Sequence, residues 1–270
     1  MSKIKKISNG VKPKVLILYG YGINCDNETK YGFELAGAEA EKVHVNQLIN
    51  GEKKLKDFQI MAIPGGFSFG DDIGAGKVLA TKIKYNLAGE FSQFIKEKKL
   101  IIGICNGFQV LVKLGVFPGF DGNYDRQDIT LTFNDSGRFE DRWVYLKINQ
   151  NSPCVWTRGI DALYLPVRHG EGKFISKDDR IRERLEKGNQ IVAQYTDEKG
   201  NPAGYPFNPN GSENNIAGIC DQTGRIFGIM PHPEGFLFKE NHPRWTREKI
   251  QEGRGLKVFE NAVSFVKEVF

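Results

Sequence analysis

Leu100-Ile101-Ile102-Gly103-Ile104 runs without a polar side chain straight into Cys105, and Phe108-Gln109-Val110-Leu111-Val112 follows at once with the pattern of a helix. An unbroken apolar run of this kind suits a strand buried on both faces. Only a sharp turn can join it to the helix, and Gly103 and Gly107 remove side chains where the two backbones converge. Strand, tight elbow and helix make an α/β unit in which residue 105 projects from the sheet edge in a strained conformation.

The preceding hundred residues repeat that rhythm. Strands are expected at Val15 to Tyr19, Lys42 to Val45 and Phe58 to Ile63. Between them lie a helical segment from Asn27 to Ala36, stopped at Gly37, and an amphipathic helix over residues 78–95. Alternation at short intervals predicts an open, mostly parallel central sheet flanked by helices. From about residue 129 the pattern changes. Ile129 to Phe133, Trp143 to Ile148, Ala162 to Val167 and Gln190 to Tyr195 read as strands joined by turns without helices, so additional antiparallel strands are expected in the second half. Ile216 to Ile219 and Ile226 to Met230 flank a hairpin-like Asp221-Gln222-Thr223-Gly224, and Leu256 to Val269 is an amphipathic closing helix. Residues 1–13 read as a basic, poorly ordered lead-in, and 14–270 as a single domain.

The charge balance narrows the partners. A net charge of +5 is spread along the chain, without the basic stripe of a nucleic-acid binder. No apolar run has the length of a bilayer span, and the Lys-rich start lacks the apolar segment of a secretory signal. Cys25, Cys105, Cys154 and Cys220 form no paired or metal-ligand spacing, so reduced thiols and a cytoplasmic location are expected.

Cys105 at the elbow is either a nucleophile or a small buried hydrophobe. A new helix directs free N–H groups at the sulfur and favours thiolate, and the Asn106 N–H can bind a developing oxyanion. Catalysis also needs a base. His44 reads as structural and His242 as part of a polar surface stretch. His232, in Met230-Pro231-His232-Pro233-Glu234-Gly235, follows a core strand, and Glu234 is close enough to fix its tautomer. His169, in Arg168-His169-Gly170-Glu171-Gly172, is the rival base. Pro64-Gly65-Gly66-Phe67-Ser68 follows the third strand, so the amides of Gly66 and Phe67 are candidate oxyanion donors beside Asn106.

Three loops in this order resemble the class I, or triad, glutamine amidotransferases. Gly22-Ile23-Asn24-Cys25-Asp26, Gly65 to Asp71, Gly103 to Gln109, Arg168 to Phe174, Asn208 to Ser212 and Met230 to Glu234 are together similar to the glutaminase subunits of phosphoribosylformylglycinamidine synthases, from about Lys14 to the C-terminus. The resemblance implies Cys105 as nucleophile, His232 as base and Glu234 as its orienter. It implies Gly66, Phe67 and Asn106 around the oxyanion, and Gln109, Asn134 and Ser136 as glutamine contacts, with His169 and Glu171 as pocket or interface residues. It further implies glutamine hydrolysis through a Cys thioester, with ammonia passed to a synthetase subunit that amidates formylglycinamide ribonucleotide. A small bridging subunit is also implied. No cofactor is expected on this chain, ATP and magnesium being used by the synthetase. The lead-in and the segment around Ile73 to Lys84 depart from the compact form of these subunits. A cysteine hydrolase or glyoxalase-like protein, or a non-catalytic subunit, are the competing readings.

Overall fold

The computed structural model describes residues 12–250 and 253–270. The basic lead-in expected over 1–13 lies outside them except for Lys12 and Pro13. The elements follow in chain order: β1 (Lys14–Tyr19), α1 (Asp26–Leu35), β2 (Glu39–His44), α2 (Val45–Ile49), β3 (Ile60–Ile63), α3 (Lys77–Asn86), α4 (Ala88–Lys96), β4 (Leu100–Ile104) and α5 (Asn106–Leu114). The second half holds β5 (Ile129–Phe133), β6 (Glu140–Ile148), β7 (Ala162–His169), β8 (Glu171–Ser176), α6 (Asp179–Lys187), β9 (Ile191–Thr196), β10 (Ile216–Cys220), β11 (Ile226–Ile229) and α7 (Leu256–Val269).

Nine strands form one sheet in the order β2-β1-β3-β4-β11-β10-β9-β6-β7. The β2-β1-β3-β4-β11 half is parallel. From β11 onward every pairing is antiparallel. β5 and β8 form a separate antiparallel pair. Val15–Leu18 and all of β3 and β4 are buried, as apolar strands with helices on their faces should be. α1 packs on α7, where Gly32 leaves room for the Phe259 ring, and α3 packs on α5. α5 is buried at every position but Lys113, and each large apolar side chain it hides contributes roughly 1.5–3 kcal/mol.

Two expectations are corrected, and one strand, β8, was not expected. The helix expected over 78–95 is two helices, because the chain turns at Leu87 (φ −127°, ψ 9°) and α4 then lays Phe91 and Phe94 into the core. The second half does contain a helix between strands, since α6 separates β8 from β9; Asp178 caps it through the Ile181 N–H at 3.0 Å. β8 itself follows β7 directly and completes the side sheet.

The β4–β11 seam positions the site. These neighbours run parallel, so their C-terminal ends, followed by Cys105 and by the Pro231-His232-Pro233 loop, open on the same edge. The Cys105 N–H donates to the Ile229 carbonyl at 2.8 Å and ties the elbow to that seam.

Candidate active site

Cys105 sits at φ 50°, ψ −106°, a region that an L-residue occupies only under constraint, at a cost of about 1–3 kcal/mol. The surroundings supply the constraint. A Cβ on Gly107 would lie 1.8 Å from the Ile63 carbonyl oxygen, and one on Gly103 would lie 2.6 Å from the Gly107 oxygen. The glycines of the motif therefore exist because α5 starts against β3 and β4 with no space for a side chain.

His232 follows β11, and its N–H donates to the carbonyl of Pro166 at 2.9 Å. Pro166 is tolerated in β7 because that strand is the sheet edge. His232 Nδ1 is 2.6 Å from Glu234 Oε1, with both side chains buried. Burial on its own would push the imidazole down, but the Glu234 carboxylate, then the Cys105 and Cys25 thiols, outweigh it and hold the ring well above its ordinary pKa. His232 Nε2 makes no hydrogen bond, while the Cys105 and Cys25 thiols lie close enough to act on the ring. Cys, imidazole and carboxylate are thus gathered at the end of adjacent parallel strands, needing only substrate to tighten them. The Cys105 thiol also lies 3.6 Å from the Arg168 carbonyl oxygen.

Gly65 passes directly beneath this group, since a Cβ there would lie 2.7 Å from His232 Cε1. Gly66, at φ 140°, turns the loop back, with an isolated bridge to Ile23. The Gly66 and Asn106 N–H groups have no acceptor among the described residues and remain available to an oxyanion. Phe67 does not: its N–H donates to the Gly22 carbonyl at 2.8 Å, because the bridge that fixes the loop consumes it. Its ring instead stands 6.1 Å from the Phe139 ring as a wall of the site.

The residues expected to contact glutamine make internal hydrogen bonds in the structure. Gln109 is buried with its amide engaged, accepting from Asn106 Nδ2 at 2.9 Å and donating to the Glu171 carbonyl. Asn134 is buried and spends its amide on Arg138, His169 and Gly172. Ser136 accepts from the Arg138 N–H in the turn beyond. None of the three lines the cavity of about 340 Å³ beside His232 and Glu234, whose other walls include Cys25, Gly66, Phe67 and Phe139. Gln109 ties the elbow helix to the Glu171 carbonyl, and Asn134 and Ser136 hold the turn that leads to Arg138.

Sequence reasoning missed Cys25, whose sulfur lies within 4.8 Å of ligand atoms of both His232 and Glu234. Burial raises its pKa, so it stays a thiol at neutral pH. The Gly22 to Asp26 stretch had marked that loop without assigning Cys25 a place.

His169, the rival base, is held away from Glu234 by a partner of its own. His169 Nδ1 is 3.1 Å from Asn134 Oδ1, an acceptor, so Nδ1 carries the proton. Burial, helped by the charge of His232, depresses its pKa to about 3. His44 caps α2, accepting from the Asn46 N–H. His242, expected at the surface, is buried among Trp143, Tyr164 and Phe236.

The depressed His169 has a measurable consequence. The unfolded chain takes up its proton near pH 6.5 and the folded chain only near 3, so stability falls as pH drops through that window, by about 1.4 kcal/mol per pH unit where the states differ by one proton. His232, raised, contributes fully below 6.5 and does not offset this slope at lower pH. His242 is lowered as well, so the comparison must isolate His169. Urea unfolding between pH 6.5 and 5 should give a shallower loss of stability in His169→Gln than in the wild-type protein; equal slopes would refute the assignment.

A family model described as a CobB/CobQ-like glutamine amidotransferase domain matches residues 12–266. The phosphoribosylformylglycinamidine synthase subunit PurQ of Dehalococcoides mccartyi is 53% identical over 260 residues, covering 96% of this chain and 99% of the relative. The corresponding subunit of Methanococcus maripaludis is 47% identical over 268 residues, covering 94% and 98%. In the solved structure of PurLQS from Thermotoga maritima, one chain superposes with a TM-score of 0.73 at 28% identity, covering 95% of this chain and all of that one.

Proposed function

This chain belongs to the CobB/CobQ-like glutamine amidotransferase family, among the PurQ subunits of phosphoribosylformylglycinamidine synthase, and we propose that Cys105, His232 and Glu234 carry its glutamine hydrolysis. It is a glutamine amidotransferase of purine biosynthesis, working with a synthetase subunit, PurL, and a small subunit, PurS.

In the proposed cycle the Cys105 thiolate attacks the side-chain amide carbon of glutamine. The amide oxygen becomes an oxyanion beside the Gly66 and Asn106 N–H groups. The His232 imidazolium, held by Glu234, gives its proton to the departing nitrogen, so ammonia leaves and a glutamyl thioester remains on Cys105. Water, deprotonated by His232, then cleaves the thioester to glutamate and restores the thiol. The observation that carries this reading is the buried His232–Glu234 contact of 2.6 Å beside a cysteine at positive φ. ATP and magnesium belong, in this proposal, to the synthetase, with no cofactor on this chain.

A cytoplasmic location is part of the same proposal; no helix of the described residues is long and apolar enough to cross a membrane. So is the reading of 14–270 as one domain, supported by a single apolar cluster that draws on both halves of the sheet.

The test is covalent trapping. A diazoketone analogue of glutamine, incubated with the assembled complex, should add once, at Cys105 by peptide mass spectrometry, and glutamine should protect. Absence of label at Cys105 would leave the elbow as a structural relic.

A further inference from the structure

We infer that Asp71 is a positioning residue for the oxyanion site: through the side chain of Asn106 it fixes the direction of the Asn106 N–H. The inference rests on the active-site reading above, in which that N–H is one of the two oxyanion donors.

The stretch from Gly65 to Asp71 ends on a carboxylate that the proposed cycle does not use. Asp71 Oδ1 accepts from Asn106 Nδ2 at 2.9 Å and from the Gly76 N–H at 3.4 Å. Asn106 is buried, and both of its amide hydrogens are spent, since Nδ2 also donates to Gln109 Oε1 at 2.9 Å. Its Oδ1 accepts from the Ser68 N–H at 3.2 Å. The two oxyanion donors lie in different loops, Gly66 after β3 and Asn106 after β4. The Asn106 side chain spans the gap between those loops, bonded to Ser68 and Asp71 on one side and to Gln109 of its own helix on the other. Asn106 is the first residue of α5, so its N–H is one of the free donors of a helix start. The aim of that donor is set by the anchors of its side chain as well as by the strained elbow before it.

The loop that carries Asp71 is shaped at the expense of stability. Phe69, Asp71 and Ile73 have φ of 55°, 55° and 57°, a left-handed conformation that is costly away from glycine, most of all for the β-branched Ile73. Ile73 is 84% exposed, so no burial offsets that cost. Gly76 presses the end of the loop onto α5, where a Cβ would lie 2.8 Å from the Val110 nitrogen. Burial raises the Asp71 pKa, and the Glu171 and Asp72 carboxylates add to it against the Asn106 and Gly76 donors. A carboxylate disfavoured where it stands, on a backbone strained around it, does not serve the fold. Such departures are retained where a site needs them, and here the site is the elbow that Asp71 touches.

The test uses the assembled synthase. Asp71→Gly removes the acceptor and leaves a residue at ease at φ 55°. It should lower kcat for glutamine-dependent amidation about 10- to 100-fold, less than outright loss of an oxyanion donor, with KM within about twofold. Glutamate γ-semialdehyde, whose adduct with Cys105 places an oxygen in the oxyanion site, should lose affinity by a similar factor. Asp71→Asn keeps an oxygen that can accept from Asn106 Nδ2 and tolerates positive φ, so its kcat should stay within about threefold of wild type. Amidation supplied with ammonia should be unchanged in both variants. An unchanged kcat in Asp71→Gly, a loss carried by KM, full affinity for the aldehyde, or an Asp71→Asn as impaired as Asp71→Gly would overturn the inference. Loss of ammonia use as well would assign Asp71 to the fold or the assembly and overturn it equally. Cys105→Ala is assayed alongside: retained glutamine use there would bring down the active-site reading itself, whereas its loss beside an indifferent Asp71→Gly would sink this inference alone.

Discussion

Cys105→Ala should reduce glutamine-dependent amidation by the assembled synthase by at least about 10⁴-fold, while amidation supplied with ammonia stays within about twofold of wild type. The separation follows from the chemistry. Without sulfur there is no thioester, and neither His232 nor the oxyanion donors can replace a covalent step. The synthetase, offered ammonia, has no need of the thiol. Alanine has a Cβ like cysteine and meets the same strain at φ 50°, so the elbow keeps its shape. The buried void left by one sulfur is small. Persistence of glutamine use would end the assignment. Loss of both activities with an intact complex would show that Cys105 matters to the synthetase rather than to glutamine.

His232→Asn should cost about 10³- to 10⁴-fold in kcat, because the proton transfers of both acylation and deacylation lose their carrier. Glu234→Gln should cost less, and its pH profile is the more informative result. Glutamine can still accept from Nδ1, so the tautomer survives while the negative charge is lost. That charge is the largest influence opposing burial in raising the imidazole, so its removal lowers the His232 pKa. Since the imidazolium is the form that protonates the leaving nitrogen, the basic limb of kcat/KM should move to lower pH. A basic limb that stayed in place would argue that Glu234 only shapes the loop.

The parallel half of the sheet was legible because its strands are continuous apolar runs and its turns are glycines. β4 and β5 have the bounds their residues suggest, and α7 does as well. β8 was not legible because its buried positions are Gly172, Phe174 and Ser176, only one of them a large apolar side chain. α6 escaped because Ile181 and Leu185 are its only buried residues in a segment of charges. The break at Leu87 has no proline, and only tertiary packing of Phe91 and Phe94 explains it. In the site, the meeting of Cys105, His232 and Glu234 could be read because each follows a core strand and sits in a glycine- or proline-rich turn. Phe67 was misread because whether a loop N–H is free depends on the strand it bridges, here through Gly22. The hydrogen-bond partners of Gln109 and Asn134 were not legible for a related reason: an amide beside a site has two sides, and here both sides bind backbone or neighbouring amides.

The β4–β11 seam also sets a timetable. Synthesis proceeds from the N-terminus, so β4, the elbow and α5 leave the ribosome well before β11 and His232 are made. At about 5–20 residues per second, the interval between Cys105 and His232 is on the order of ten seconds. Throughout that time the nascent chain holds a thiol with no imidazole beside it. Insertion of β11 between β4 and β10 both completes the sheet and arms the cysteine. On the mechanism proposed above, a chain that ends before β11 lacks the base, so the capacity to release ammonia from glutamine arrives only when β11 joins the sheet.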